Sequence, residues 1–267
     1  MTTMTADSPV RTEERLDRFP ASVKPVSAAV ALIKFLHDKE DTAQVFRIFD
    51  CLDGPQSEKN FQRFAATEGG KKMMRENADL APLLSEKEWL RALPADTLGG
   101  QYIRFMDAEN IGAEGLIEFE KKADARSLQL EPGRRIFIST GYQLHDVWHV
   151  LVGYGRDLVG EASVLAFTYG QLHIKGINLL CRTLGVKETL LNLGVPVWSI
   201  LNEAEKIGRE AEWLLPQDWK ALLETPLDEV RATLNVAKPA LYNKHAAHLQ
   251  KDDIRRRTKM GYAPMMG

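Results

Sequence analysis

The sequence predicts an all-α fold: a single-domain helical bundle with a candidate metal-binding helical hairpin. Three observations lead there. Apolar residues recur at three- and four-residue spacing through most of the 267 residues, which is the period of one helix face. Ser, Thr and Asp stand ahead of several of these segments, where a side-chain oxygen can cap a helix. Strand character is confined to one short, solitary run.

Taken in order, "SAAVALIKFLHD" (27–38) and "TAQVFRIFDCL" (42–52) are amphipathic helices. "SEKNFQRFAAT" (57–67) and "SEKEWLRAL" (85–93) open on Ser and place acids in the first turn, near the positive end of the helix dipole. In 94–110, Asp96 or Thr97 caps a helix whose apolar stripe includes Tyr102, Phe105 and Met106. A polar stretch, 114–135, follows and contains the turn "EPGRR". "RIFIST" (135–140) is the run with strand character. Helices resume at 142–152 and 158–184. Pro196 suits a first turn, giving a helix over 196–215. "QDWKALLE" and "PLDEVRATLN" close the core. Residues 1–20 are expected to be a mobile tail, 21–250 one helical domain, and 251–267 a loose tail.

Composition narrows the function. With 44% hydrophobic residues the chain can bury a sizeable core. A net charge of -2 gives no concentrated basic surface, so nucleic acid is not an expected partner. Cys51 and Cys181 stand far apart with no metal or redox spacing and are read as buried thiols in a reducing compartment. The first twenty residues lack an apolar signal core and carry acids, so neither a secretory signal nor a mitochondrial transit peptide is expected. No run of eighteen uncharged apolar residues spans a membrane.

The chemistry concentrates in "HDVWHVLVGYGRDLVGE" (145–161). On an ideal helix His145, Asp146 and His149 lie at about 0°, 100° and 40°, on one face. Gly153 and Gly155 can end that helix, and Asp157 can cap the next, with Glu161 one turn inside it. Two helices joined so closely lie side by side, so Glu161 can point back at the histidines. Imidazole and carboxylate donors suit zinc, iron or manganese. A chance pair of histidines on an amphipathic helix fits the same spacing, and spacing alone leaves both readings open. A zinc hydrolase is a third reading. It is weakened by Asp146 standing where HExxH metalloproteases carry Glu, since the shorter side chain reaches a zinc-bound water less well.

The motif and its flanks resemble a family. "HDVWH", eleven residues and Glu161 match the HDxxH-x11-E pattern of the ubiquinone biosynthesis protein Coq-four family. "LPADTLGGQYIRFM", "RDLVGEASVLAFTYGQ" and "IGREAEWLLPQDWKALLETPLDEVRATLNV" are similar to further family blocks, so the resemblance covers roughly residues 85–236. It implies metal ligation and catalysis by His145, Asp146, His149 and Glu161. The ion would be divalent, zinc first, with iron, manganese or magnesium as alternatives. It also implies a polyprenyl quinone precursor as substrate, which loses its ring carboxyl group and is hydroxylated at the same carbon. The alternative is a non-catalytic, polyprenyl-lipid-binding scaffold for the other ubiquinone biosynthesis proteins. No dinucleotide fingerprint follows a strand, so dioxygen is the expected oxidant. A bacterial member, cytoplasmic and peripheral on the inner membrane face, is expected, and a homodimer is left open.

The substrate needs contacts. Burying each methylene of the tail contributes about 0.8 kcal/mol. Phe105, Met106, Val164, Leu165, Phe167, Leu172 and Trp198 are candidates to line its channel, though plain core packing accounts for any one of them. Arg134 and Arg135 could meet the substrate carboxylate or simply form a solvated turn. Trp198, Trp213 and Trp219 could sit at a membrane interface or on buried helix faces. His173 and Lys175 are read as helix-face residues.

Overall fold

Fifteen helices run through the described residues of the computed structural model, 17–19, 22–37, 43–108 and 130–259, with no strand among them. In chain order they are α1 (Pro25–His37), α2 (Ala43–Leu52), α3 (Gly54–Ala66), α4 (Glu68–Glu76), α5 (Ala81–Ser85), α6 (Lys87–Ala92), α7 (Leu98–Ala108) and α8 (Pro132–Gln143). Next come α9 (His145–Val152), α10 (Leu158–Leu172), α11 (Lys175–Leu191), α12 (Val197–Glu210), α13 (Trp219–Glu224), α14 (Leu227–Thr233) and α15 (Ala240–Lys259). Most of the predicted N-terminal tail, the end of the C-terminal one and most of the polar stretch after Ala108 lie outside the described residues.

One large core gathers Phe64, Leu90, Tyr102, Trp148, Phe167, Ile200, Leu214 and Trp219 from eight different parts of the chain. A small satellite of Ala31, Ile48 and Leu180 lies where α1, α2 and α11 meet. The pair α10 and α12 forms the centre. A Cβ at Gly170 would lie 2.4 Å from the Glu205 carbonyl oxygen, and one at Gly208 would lie 2.1 Å from that of Phe167. The two backbones touch, which only glycine permits. Buried Gln171 ties the contact by donating to the Gly208 carbonyl at 2.5 Å and accepting from the Leu214 N–H at 3.0 Å.

Several expectations are corrected. "RIFIST" lies inside α8. Its strand propensity is overridden by a strong start: Pro132 stands in the first turn, and the Glu131 carboxylate accepts from the N–H groups of Gly133 and Arg134 at 3.1 and 3.0 Å. Gly133, Ile136, Phe137 and Thr140 are buried at helical spacing, and the Thr140 hydroxyl donates to the Ile136 carbonyl. The predicted helix 158–184 breaks at His173, which adopts a left-handed conformation with φ 54°. The buried Asn60 amide donates at 2.7 Å to the Leu172 carbonyl, so α3 satisfies the helix end where it stops. Pro196 precedes α12 instead of standing in its first turn, and α12 ends at Glu210, not 215. Ser57 lies inside α3 and Ser85 ends α5, so neither is the cap. Of Asp96 and Thr97, Thr97 caps α7, accepting from Gly100 N–H at 3.1 Å. Helix α15 continues to Lys259 through part of the segment expected to be loose. Phe19, assigned to the mobile tail, packs edge-on against Phe61 and Phe137.

Asp53, ahead of α3, carries a pH-dependent cost. Burial pushes its carboxyl up to about 7 against a donated bond from Ser57, and its Oδ1 has no hydrogen-bond partner. A carboxyl raised in the folded state keeps its proton there more tightly than in the unfolded chain. Its favourable contribution is therefore present below about pH 4 and is lost as pH rises through about 7. The loss is on the order of 4 kcal/mol at most. Urea unfolding should show wild-type stability falling between pH 5 and pH 8, with Asp53→Asn much flatter over that range. An equal slope in both would contradict the assignment.

Candidate metal centre

The predicted hairpin is α9 and α10. Leu144 separates α8 from α9 as a single turn residue, but Trp148 N–H still reaches its carbonyl at 2.9 Å, so His145 and His149 share one helical face as expected. Gly153, at φ 94°, ends α9, a conformation that a side chain would strain. Arg231, from α14, donates at 2.8 and 3.2 Å to the Leu151 and Val150 carbonyls, satisfying acceptors at the C-terminal end of α9. Asp157 caps α10, its Oδ1 accepting from Val159 and Gly160 N–H at 3.1 Å each. Glu161, four residues on, then faces back across the hairpin.

The three donor atoms converge. Nε2 of His145 and Nε2 of His149 lie 3.3 Å apart, and Oε2 of Glu161 lies 3.4 Å from each. Asp146 adds a donor atom within 4.8 Å of those of both histidines. His149 is 1% exposed, whereas His145 and Asp146 are half-buried, so the cluster opens on one side.

The chemistry of this set suits a cation. His149 Nδ1 lies 3.1 Å from the Tyr154 carbonyl oxygen, which can only accept, so Nδ1 carries the hydrogen. The neutral ring then turns the lone pair of Nε2 toward a second imidazole and a carboxylate. Burial works against a charged ring at His149, but the Glu161 carboxylate, with Asp146 behind it, overrides that and holds the imidazole above its ordinary value. Burial likewise penalises the charged Glu161, and the two imidazoles hold it well below the usual carboxylate range. A metal ion can take the place of the proton this arrangement attracts. Two donors about 2.05 Å from a zinc ion at the tetrahedral angle lie about 3.3 Å apart, so the observed edges fit the ion.

Sequence reasoning missed Arg156, whose Nε donates to Glu161 Oε1 at 3.3 Å and leaves Oε2 toward the histidines. A basic residue five positions before the carboxylate was the available signal. Tyr102 is fully buried on α7, and that burial, with the Asp146 charge nearby, raises its phenol far above the ordinary value.

The predicted substrate-contact residues divide. Phe105 stacks on the His149 ring, with centroids 5.7 Å apart, and Met106 is buried one residue on. Val164 and Phe167 are fully buried, with Phe167 edge-on to Trp148, and Leu172 is buried too. These three are core residues. Leu165 packs between the main core and the satellite. Arg134 is corrected: it is 7% exposed, paired with Glu58 at 2.5 Å and Glu131 at 2.9 Å, and lies over the Phe61 ring. Its donors are committed within the protein. Trp213 and Trp219 are buried and cannot face a membrane, while Trp198 is 37% exposed under Arg182.

Comparison with known proteins bears on this site. The profile of the family described as coenzyme Q (ubiquinone) biosynthesis protein Coq4 matches residues 25–240. A mitochondrial ubiquinone biosynthesis protein COQ4 of Scheffersomyces stipitis is 28% identical over 177 residues, 64% of this chain and 51% of that protein. That of Candida tropicalis is 24% identical over 234 residues, 85% of this chain and 68% of its own length. The chain thus spans about half to two thirds of these relatives. The crystal structure of a Nostoc punctiforme protein, provisionally assigned to ubiquinone biosynthesis, superposes with a TM-score of 0.59 at 20% identity. It covers 81% of this chain and 100% of the other, and shows a shared fold.

Proposed function

The chain belongs to the coenzyme Q (ubiquinone) biosynthesis protein Coq4 family, and from that premise we propose that it acts on a polyprenyl hydroxybenzoate precursor, exchanging the ring carboxyl group for a hydroxyl at a divalent metal ion. The observation that carries this reading is the convergence of His145 Nε2, His149 Nε2 and Glu161 Oε2 within 3.4 Å beside the half-open face of Asp146. His145, His149 and Glu161, with Asp146 beside them, would hold the ion, zinc first among divalent metals. When bound, the ion supplies Lewis-acid stabilisation of charge on the head-group oxygens.

The residues divide the work. The Tyr154 carbonyl fixes the His149 ring, and Arg156 fixes one oxygen of Glu161. The Asp146 carboxylate, half-exposed beside the cluster, receives the phenol proton of the entering ring. Phe105 covers one face of His149 and excludes water there. In the net reaction the ring carbon–carboxyl bond breaks and a carbon–oxygen bond forms. Carbon dioxide leaves, water supplies the hydroxyl, and dioxygen takes two electrons and two protons to become hydrogen peroxide. The lipid tail would be met at a membrane surface, beside the other proteins of the pathway.

A second reading rests on Asp146, whose donor atom lies within 4.8 Å of those of both histidines and could join them. Four protein donors would fill a tetrahedral ion and leave no open position, which favours a non-catalytic polyprenyl-lipid-binding scaffold. A quinone profile by mass spectrometry separates the two, in a bacterium lacking its own ring-decarboxylating enzymes and expressing wild type or His149→Ala. The enzyme reading expects a decarboxylated, hydroxylated product with wild type and accumulated carboxylated precursor with the variant. Precursor left untouched by folded, metal-loaded wild type would sink it and leave the scaffold.

A further inference from the structure

His149 and Glu161 stand on different helices, so the 3.4 Å between their donor atoms depends on the five residues, 153–157, that join α9 to α10. Both are linked to that turn. His149 donates to the Tyr154 carbonyl. Glu161 rides on the start of α10, which Asp157 caps through Oδ1.

Both links meet a single side chain from outside the hairpin. Tyr242, in the first turn of α15, is 1% exposed. Its hydroxyl donates to Asp157 Oδ2 and accepts from the Gly155 N–H at 2.9 Å. Its ring stands edge-on to that of Tyr154, with centroids 5.1 Å apart. A hydroxyl has one hydrogen and two lone pairs: Asp157 takes the hydrogen, and Gly155 and Gln250 donate to the oxygen. The fit is close: a Cβ at Gly155 would lie 2.6 Å from the Tyr242 oxygen, so glycine at 155 is what admits the phenol. Tyr242 also lies just past residue 240, where the family match ends.

We propose that Tyr242 is a positioning residue for the metal centre, bracing from α15 the turn that sets His149 against Glu161. This rests on the metal reading above. Loss of the hydroxyl leaves the Gly155 N–H and Asp157 Oδ2 short of a partner in a buried setting, and buried polar groups left unpaired drive local rearrangement. The turn shifts, the Tyr154 carbonyl and the α10 start move with it, and the two donors no longer share one ion. Partners that orient metal ligands typically contribute tenfold to a hundredfold in affinity.

Tyr242→Phe keeps the ring and removes only the oxygen. Cobalt(II) titration of the full chain, followed by its visible absorption, is expected to show affinity weaker by tenfold or more and an altered band, in protein that remains folded. A residue that only fills space would lower the melting temperature and leave the affinity of the folded fraction alone. Cobalt affinity within twofold of wild type overturns the proposal. Asp157→Asn cuts the same link from the other end and serves if Tyr242→Phe does not fold. It is expected to weaken cobalt binding similarly, and unchanged affinity overturns the proposal equally. Should wild type take up no cobalt, the metal reading fails by itself. The brace is then judged by the His149 Nδ1–H proton in NMR. Exchange faster by tenfold or more in Tyr242→Phe supports it, and equal exchange overturns it.

Discussion

His149→Ala is expected to strip the protein of its divalent ion. The imidazole is the one donor of the cluster that is both fully buried and fixed by a backbone carbonyl, so no side chain or bulk water can replace it in place. Its removal leaves His145 on the half-open side and Glu161 drawn to Arg156. Purified wild type should carry close to one ion per chain by elemental analysis, the variant background levels. Binding should be weaker by on the order of a hundredfold or more, since losing a ligand costs more than losing a group that orients one. Asp146→Asn is the companion. If Asp146 accepts the phenol proton, the amide variant keeps its ion and loses product formation. If Asp146 is a ligand, metal content falls with it. A His149→Ala protein that retained a full complement of metal would place the ion elsewhere and remove the basis for the proposed chemistry.

Gly208→Ala is expected to cause a large loss of stability from a single methyl group. The new carbon would lie 2.1 Å from the Phe167 carbonyl oxygen, more than 1 Å inside ordinary contact, so α10 and α12 must move apart along the centre of the core. Alanine is the better helix former by about 1 kcal/mol. Forcing extra volume into a packed interface costs about 1–3 kcal/mol or more, and here the obstacle is backbone, which cannot turn aside. The net loss should be about 2 kcal/mol or more, which lowers the melting temperature by about 4 °C or more in a chain of this size. Gly141→Ala is the control. A Cβ there meets Leu215 at 3.9 Å, ordinary contact, so the helix-propensity gain should appear as a small rise. If both variants shift alike, the close approach of the central helices is not what glycine serves at 208. Because Glu161 sits on α10, Gly208→Ala should also weaken metal binding without touching any ligand.

The candidate site was legible because its residues are close in sequence. His145, Asp146 and His149 fall on one face by helical period, and "GYGRD" states both the end of one helix and the cap of the next. Local geometry therefore carries Glu161 to the histidines without knowledge of the rest of the chain. The all-helical class was legible for the same reason: a 3.6-residue apolar period and capping residues are local signals. Residues 135–140 have the look of a strand taken alone, whereas Gly133, Ile136, Phe137 and Thr140 form a buried helical stripe. The roles of Arg134, Trp213 and Trp219 were not legible, because they depend on partners far along the chain. Arg134 is taken up by Glu58, 76 residues away.

What the sequence determined by itself is thus what neighbours three to sixteen residues apart can decide: the helices, the hairpin and the gathering of His145, His149 and Glu161. Tertiary structure alone decided where a helix must stop, as at Leu172, whose carbonyl is taken by Asn60 from 112 residues away. It also decided which apolar residues are core and not channel, and how the hairpin is held, through Arg231 on the end of α9 and Tyr242 on the turn. The physical reason is that periodicity and capping act within one or two turns of chain. Burial and hydrogen-bond satisfaction are settled only when distant segments meet and every desolvated polar group must find its partner.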